Sequence, residues 1–111
     1  MSRLAPLELE DMTPEQRAVA EAITSGPRSR LRGPFPALLR SPELADHAQK
    51  MGAYCRYGSS LPSNLSELAI ILVGKHWTAQ FEFWAHASLA REAGVPDAAI
   101  EAIRLGDTPA F

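Results

Sequence analysis

The stretch Pro62–Gly94, PSNLSELAIILVGKHWTAQFEFWAHASLAREAG, decides the fold. Its first half places Leu65, Leu68, Ala69, Leu72, Val73 and His76 at helical spacing, with Ile70, Ile71 and Gly74 on the opposite side. A run of about thirteen residues behind Pro62-Ser63-Asn64 is long for a buried strand and fits a helix. A helix that is apolar nearly all round belongs at the centre of a core or in an oligomer. The second half reads as another helix, from about Thr78 to Ala93, stopped by Gly94. Trp77, Phe81, Trp84 and Ser88 share one stripe of it, and its aromatics, Phe83 included, read as core or subunit-interface groups.

Proline and glycine divide the rest of the chain into further helices. Thr13-Pro14-Glu15-Gln16 is a helix start: Thr13 caps, Pro14 takes the first helical position and Gln16 completes a capping box. Ala18, Val19, Ala22 and Ile23 supply that helix with an apolar face, and Gly26-Pro27 ends it. Three prolines keep the basic loop Arg28–Pro36 from forming a long helix, with room for a short turn through Ala37–Leu39. Ser41-Pro42 opens a helix whose stripe is Leu44, Ala45, Ala48, Met51 and Cys55, with Gly58 as its C-terminal cap. A last short helix follows Pro96, through Ala98 to Arg104, and stops at Gly106. No segment alternates with period two, so the fold class is all-α, with five to six helices.

Composition sets the outer bounds. The 111 residues are 46% hydrophobic and 22% charged, which suits one globular domain. Eleven Lys+Arg against thirteen Asp+Glu give a net charge of −2, so no basic excess points to nucleic acid or to a membrane surface. The single cysteine, Cys55, reads as a small core residue and allows neither a disulfide framework nor a CxxC pair. The acidic N-terminus does not resemble a signal peptide, and the longest apolar stretch is too short to span a bilayer. A cytoplasmic protein is the expectation.

The informative polar residues lie within the two apolar helices. Glu82 and His86 are four apart and share a helix face, with Ala79 one turn earlier as a small gap. Glu67 stands near the start of the preceding helix and reaches His86 if the two pack as a hairpin. A carboxylate held on an imidazole fixes its tautomer and tunes its basicity, and a second carboxylate beside it makes a proton-handling site. The bland alternatives are a carboxylate complementing a helix dipole and an ordinary surface pair. His76, Glu82, His86 and His47 are metal-capable residue types. On one straight helix, however, His76 and His86 lie about 15 Å apart, so no metal is expected unless the chain breaks near Trp77–Thr78.

Several blocks together carry a resemblance: Arg56–Pro62, Glu67–Ile70, His76–His86 and Ala93–Pro96. They resemble the carboxymuconolactone decarboxylase and alkylhydroperoxidase D-like family. The similarity covers about residues 36–106 of a single domain 1–111, with an N-terminal arm and first helix over 1–34. It implies an alkylhydroperoxidase D-like helical fold and a homo-oligomer, trimeric or hexameric. The family's redox branch carries E-x11-C-x2-C-x3-H, where this chain has Glu67, Ala79, Glu82 and His86. Ala79 and Glu82 have no thiol, so disulfide exchange and thiol peroxidase chemistry are disfavoured, whatever peroxiredoxin-like label similarity attaches.

The resemblance then implies a decarboxylase or related proton-transfer enzyme without a cofactor, acting on a small unsaturated acid or lactone. His86 is the candidate acid/base, oriented by Glu67, with Glu82 holding a proton or facing the substrate. Ala79, His76, Lys75 and Arg56 are the candidate substrate-binding residues. An anionic substrate needs a cation, for which Lys75, Arg56 and the loop arginines Arg28, Arg30 and Arg32 are available. The alternative is a non-catalytic oligomeric relative that binds a small molecule or a partner.

Overall fold

The computed structural model describes residues 3–111; Met1 and Ser2, the start of the N-terminal arm, lie outside the described residues. The described residues form helices and no strand. The chain divides into two compact units, Met1–Tyr54 and Cys55–Phe111, so residues 36–106 are shared between them.

In the first unit a 3-10 turn, Leu9–Asp11, leads into α1, Pro14–Thr24. Both bonds of the expected capping box are present: the Gln16 backbone N–H donates to Thr13 Oγ1 at 3.2 Å, and the Thr13 N–H to Gln16 Oε1 at 2.9 Å. The short α2, Phe35–Leu38, precedes α3, Pro42–Ala53. Met12, Ala20, Leu39 and Ala45 form the core, flanked by Leu7, Val19, Leu31 and Leu38. Of the expected face of α1, Ile23 is buried and Val19 packs against the core, while Ala18 and Ala22 are exposed and Ala20 is buried instead. In α3 only Ala45 of the expected stripe is buried, and Leu44 and Met51 face outward. Lys50 donates to Asp46 at 2.6 Å and holds that carboxyl below its ordinary range.

Tyr54–Gly58 forms a π-helical turn. A π turn accommodates an extra residue per turn, so positions beyond it leave the 3.6-residue register. Cys55 is accordingly exposed, which corrects its reading as a core residue.

The second unit contains α4, Ser63–His76; α5, Gln80–Glu92; and α6, Asp97–Leu105. Ile71 of α4, Ala90 of α5, Val95, and Ala99, Ile100 and Ile103 of α6 make its core, with Leu68, Phe83 and Ala87 packed against it. Each fully buried aliphatic side chain there contributes about 1.5–3 kcal/mol. Gly94 and Gly106, with φ of 98° and 88°, end α5 and α6 in the left-handed conformation that glycine adopts without steric cost. The Arg104 guanidinium grips Glu101 within α6 and holds that carboxyl below its usual range.

Among the described residues no helix is long and apolar enough to cross a membrane. The outer half of α4 is nonetheless apolar: Leu65, Leu72 and Val73 are exposed. Trp77, Phe81 and Trp84 are exposed as well, which overturns their core reading, whereas Phe83 packs against the core as expected.

Gly74 sets how closely α4 and α5 approach. A Cβ built there would meet the Phe83 backbone nitrogen at 3.3 Å. Alanine gains up to about 1 kcal/mol in helix propensity at such a position, but overpacking costs about 1–3 kcal/mol. Gly74→Ala is expected to lower the midpoint of chemical denaturation. A raised midpoint would show that the two helices separate freely.

Candidate functional site

Glu67 lies in the second turn of α4, on the side that turns inward with Ser66, Ile71 and Gly74. Only 7% of its surface is exposed. Burying a carboxylate is costly unless its charge is paired and its oxygens accept hydrogen bonds. Two side chains meet that demand. His86, from the middle of α5, brings Nδ1 to 2.6 Å from Glu67 Oε2. Arg56, from the π turn, places Nε 3.7 Å from Oε1. The hairpin of α4 and α5 that brings Glu67 to His86 is thus present.

Arg56 is held in place by more than charge. Its guanidinium carbon lies 4.8 Å from the Tyr57 ring centroid, within cation–π range. Its buried Nε has no hydrogen-bond partner, the Glu67 oxygen being just too distant. The Arg56–Glu67 contact is therefore an ion pair rather than a bond.

The pairing on Nδ1 settles what the other side of the imidazole does. In the neutral ring the Nδ1–H donates to Glu67, and Nε2 keeps a bare lone pair. Nε2 faces Glu82, one turn earlier on α5, with Oε2 at 3.6 Å. That separation exceeds a direct hydrogen bond. His86 is nearly buried, whereas the Glu82 side chain is 43% exposed.

Glu82 opens onto a groove of about 340 Å³ between α4 and α5. Ala69, Ile70, Val73 and Gly74 form one wall. Trp77 and Ala79, from the segment joining the helices, close the end, and Glu82 is the charged group in the lining. Thr78, at φ 55°, makes the corner between the helices. From Glu67, the most buried, the order runs through His86 to Glu82 at the groove, with Arg56 beside the other carboxylate oxygen of Glu67.

The structure brings together four of the sequence-derived residues, Glu67, His86, Glu82 and Arg56, and places Ala79 in the groove wall. It does not bring in Lys75 or His76. Lys75 Nζ donates to the Arg104 carbonyl at 2.7 Å, because the end of α4 lies beside the end of α6. His76 is exposed and packs edge-on against Trp77. Of the other proposed cations, Arg28 stacks on Phe35 in the first unit. The chain does break between His76 and Gln80, as a shared metal site would need, but no group of three or more His, Cys, Asp or Glu side chains among the described residues is placed to hold a metal.

Apart from Ala79, the groove walls went unnoticed in the sequence. Ile70 and Val73 read as core, and Trp77 as core or interface. A glycine inside an otherwise apolar helix was the available signal that a close approach, and a recess beside it, lay at Gly74. No protein-family model, curated protein or solved structure matches this chain.

Removing one partner of a buried pair leaves the other charge uncompensated. Glu67→Ala is expected to cost about 2–4 kcal/mol in chemical denaturation. Combined with Arg56→Ala, the loss should fall clearly short of the sum of the single losses. Strict additivity would mean that Arg56 does not sense Glu67.

Proposed function

We propose that the protein is a cofactor-independent proton-transfer enzyme acting on a small unsaturated carbonyl compound or lactone. The carrying observation is the ordered chain Glu67–His86–Glu82, which runs from a buried carboxylate to a groove. The resemblance to the carboxymuconolactone decarboxylase and alkylhydroperoxidase D-like family supports the same reading, as does the all-helical fold. Thiol chemistry receives no support, since Ala79 and Glu82 stand where the cysteine pair would be.

In this reading Glu82 is the group that touches substrate. Its carboxylate takes a proton from the carbon next to a carbonyl, and the electron pair of that C–H bond moves into the enolate. The proton rests on Glu82 or passes to the bare Nε2 of His86, and it returns to a different carbon as the carbonyl re-forms. Nothing is gained or lost overall; a double bond changes position. Glu67 holds the Nδ1 proton and stabilises the imidazolium when Nε2 is protonated. Arg56 keeps Glu67 ionised and in place. The first N–H groups of α5, beside Ala79, have no side-chain cap and carry the positive end of the helix dipole toward a developing oxyanion. Decarboxylation of an anionic acid is the less supported variant, because a substrate carboxylate would meet Glu82 with no cation in the groove lining.

We also propose that the protein works as a homo-oligomer, trimeric or hexameric, whose contacts cover the exposed Leu65, Leu72, Phe81 and Trp84. Exposed aromatic and aliphatic side chains this close together on adjoining helices mark a protein–protein contact in small proteins. Sedimentation should give a mass of three or six chains, and a monomer at micromolar concentration would contradict it.

The proton-transfer reading is tested by solvent exchange. A panel of unsaturated lactones and enones incubated in heavy water should acquire deuterium next to the carbonyl, followed by proton NMR. Glu82→Gln and His86→Ala should each slow that exchange by about 10²–10⁴-fold, the usual worth of a positioned acid–base group, with helicity retained. Exchange that persists undiminished in both variants would overturn the reading.

A further inference from the structure

We infer that the groove selects a flat, largely apolar ligand that presents a hydrogen-bond donor to Glu82, and that it discriminates against carboxylates. The inference rests on the groove being the substrate site, and it adds the chemical class of the ligand.

Shape and lining come first. A volume of about 340 Å³ lies at the small end of ligand sites. Ala69, Ile70, Val73 and Gly74 offer an apolar wall without a donor side chain, and Trp77 adds a broad aromatic face. Such a lining takes up a flat hydrocarbon body and sets one charged group, Glu82, beside it.

Charge decides which polar group a ligand presents to it. Arg56 and Glu67 compensate one another. His86 directs its Nδ1–H to Glu67, so when neutral it presents only a lone pair toward Glu82. The Glu82 carboxylate therefore carries the uncompensated charge of the cluster, with 43% of its side chain exposed. Lys75, the cation nearest in sequence to the groove wall, is turned to the Arg104 carbonyl. The dipole of α5 contributes about half a positive charge at its N-terminus, which offsets Glu82 only in part. A hydroxyl or an ammonium satisfies this acceptor; a carboxylate brings a second negative charge to it. The partial exposure and the dipole both reduce the size of the preference, to roughly threefold to tenfold.

The test uses three probes with the same ring: benzyl alcohol, benzylamine and benzoate. Binding is read from the Trp77 indole resonance in the full-length protein. Benzyl alcohol and benzylamine should bind roughly threefold to tenfold tighter than benzoate. The order of those two reports whether the donor acts mainly by charge or by hydrogen bonding. Glu82→Gln should bring benzoate level with benzyl alcohol. Ala69→Leu, which fills the groove while keeping a strong helix former on an exposed face of α4, should abolish the Trp77 shift for all three. Benzoate binding as tightly as the donors, an order unchanged by Glu82→Gln, or no saturable shift with any probe would overturn the inference. Only binding is read here. A lost proton relay with the order intact would instead count against the proposed reaction alone.

Discussion

The buried carboxylate of Glu67 is the constraint on which the rest of the second unit depends. An ionised group with 7% of its surface exposed is tolerated only with partners in place. Those partners come from elements distant in sequence: Arg56 from the π turn and His86 from α5. Meeting that demand ties the start of α4 to the turn before it and to the middle of the helix after it. Gly74, two turns further on, lets the same two helices close up. The hairpin is thus fixed by a polar contact near the start of α4 and by a backbone contact near its end. The groove lies on the outer side of that hairpin.

One consequence is a division of labour along the α5 face. The His86 side chain is nearly enclosed, and that of Glu82 is 43% exposed. Together they link an interior ion pair to an open groove. A carboxylate at Glu82 also gives this site a different character from a thiol site. It can hold and return a proton, but it cannot form a bond to a peroxide oxygen or to a sulfur.

Much of this was legible in the chain. The capping box at Thr13–Gln16, the stops at Gly94 and Gly106, and the all-α class follow from local rules that act within a few residues. The Glu67–His86 pairing was legible too, because one hairpin suffices to join them. What the sequence concealed was which way each helix faces. Ile23 is buried as its face required, yet Ala18 and Ala22, which looked like core, are exposed and Ala20 is buried. A face rich in alanine can rotate by one position with little change in pattern. Cys55 was misplaced because its position was extrapolated through a π turn. Lys75 was diverted from the groove by the Arg104 carbonyl, a contact set by how α6 packs on α4. No local pattern contains that information. The aromatics read alike as core or subunit-interface groups, and only the fold separates Phe83, which packs inward, from Trp77, Phe81 and Trp84, which do not.

The central claim is that Glu67 orients the His86 ring so that a bare Nε2 faces Glu82. Long-range proton–nitrogen correlation on histidine-labelled protein reads this directly. The account predicts that the neutral His86 ring carries its proton on Nδ1, and that Glu67→Ala removes this preference while the helices persist. A ring protonated on Nε2 in the intact protein, or a tautomer indifferent to Glu67, would contradict it.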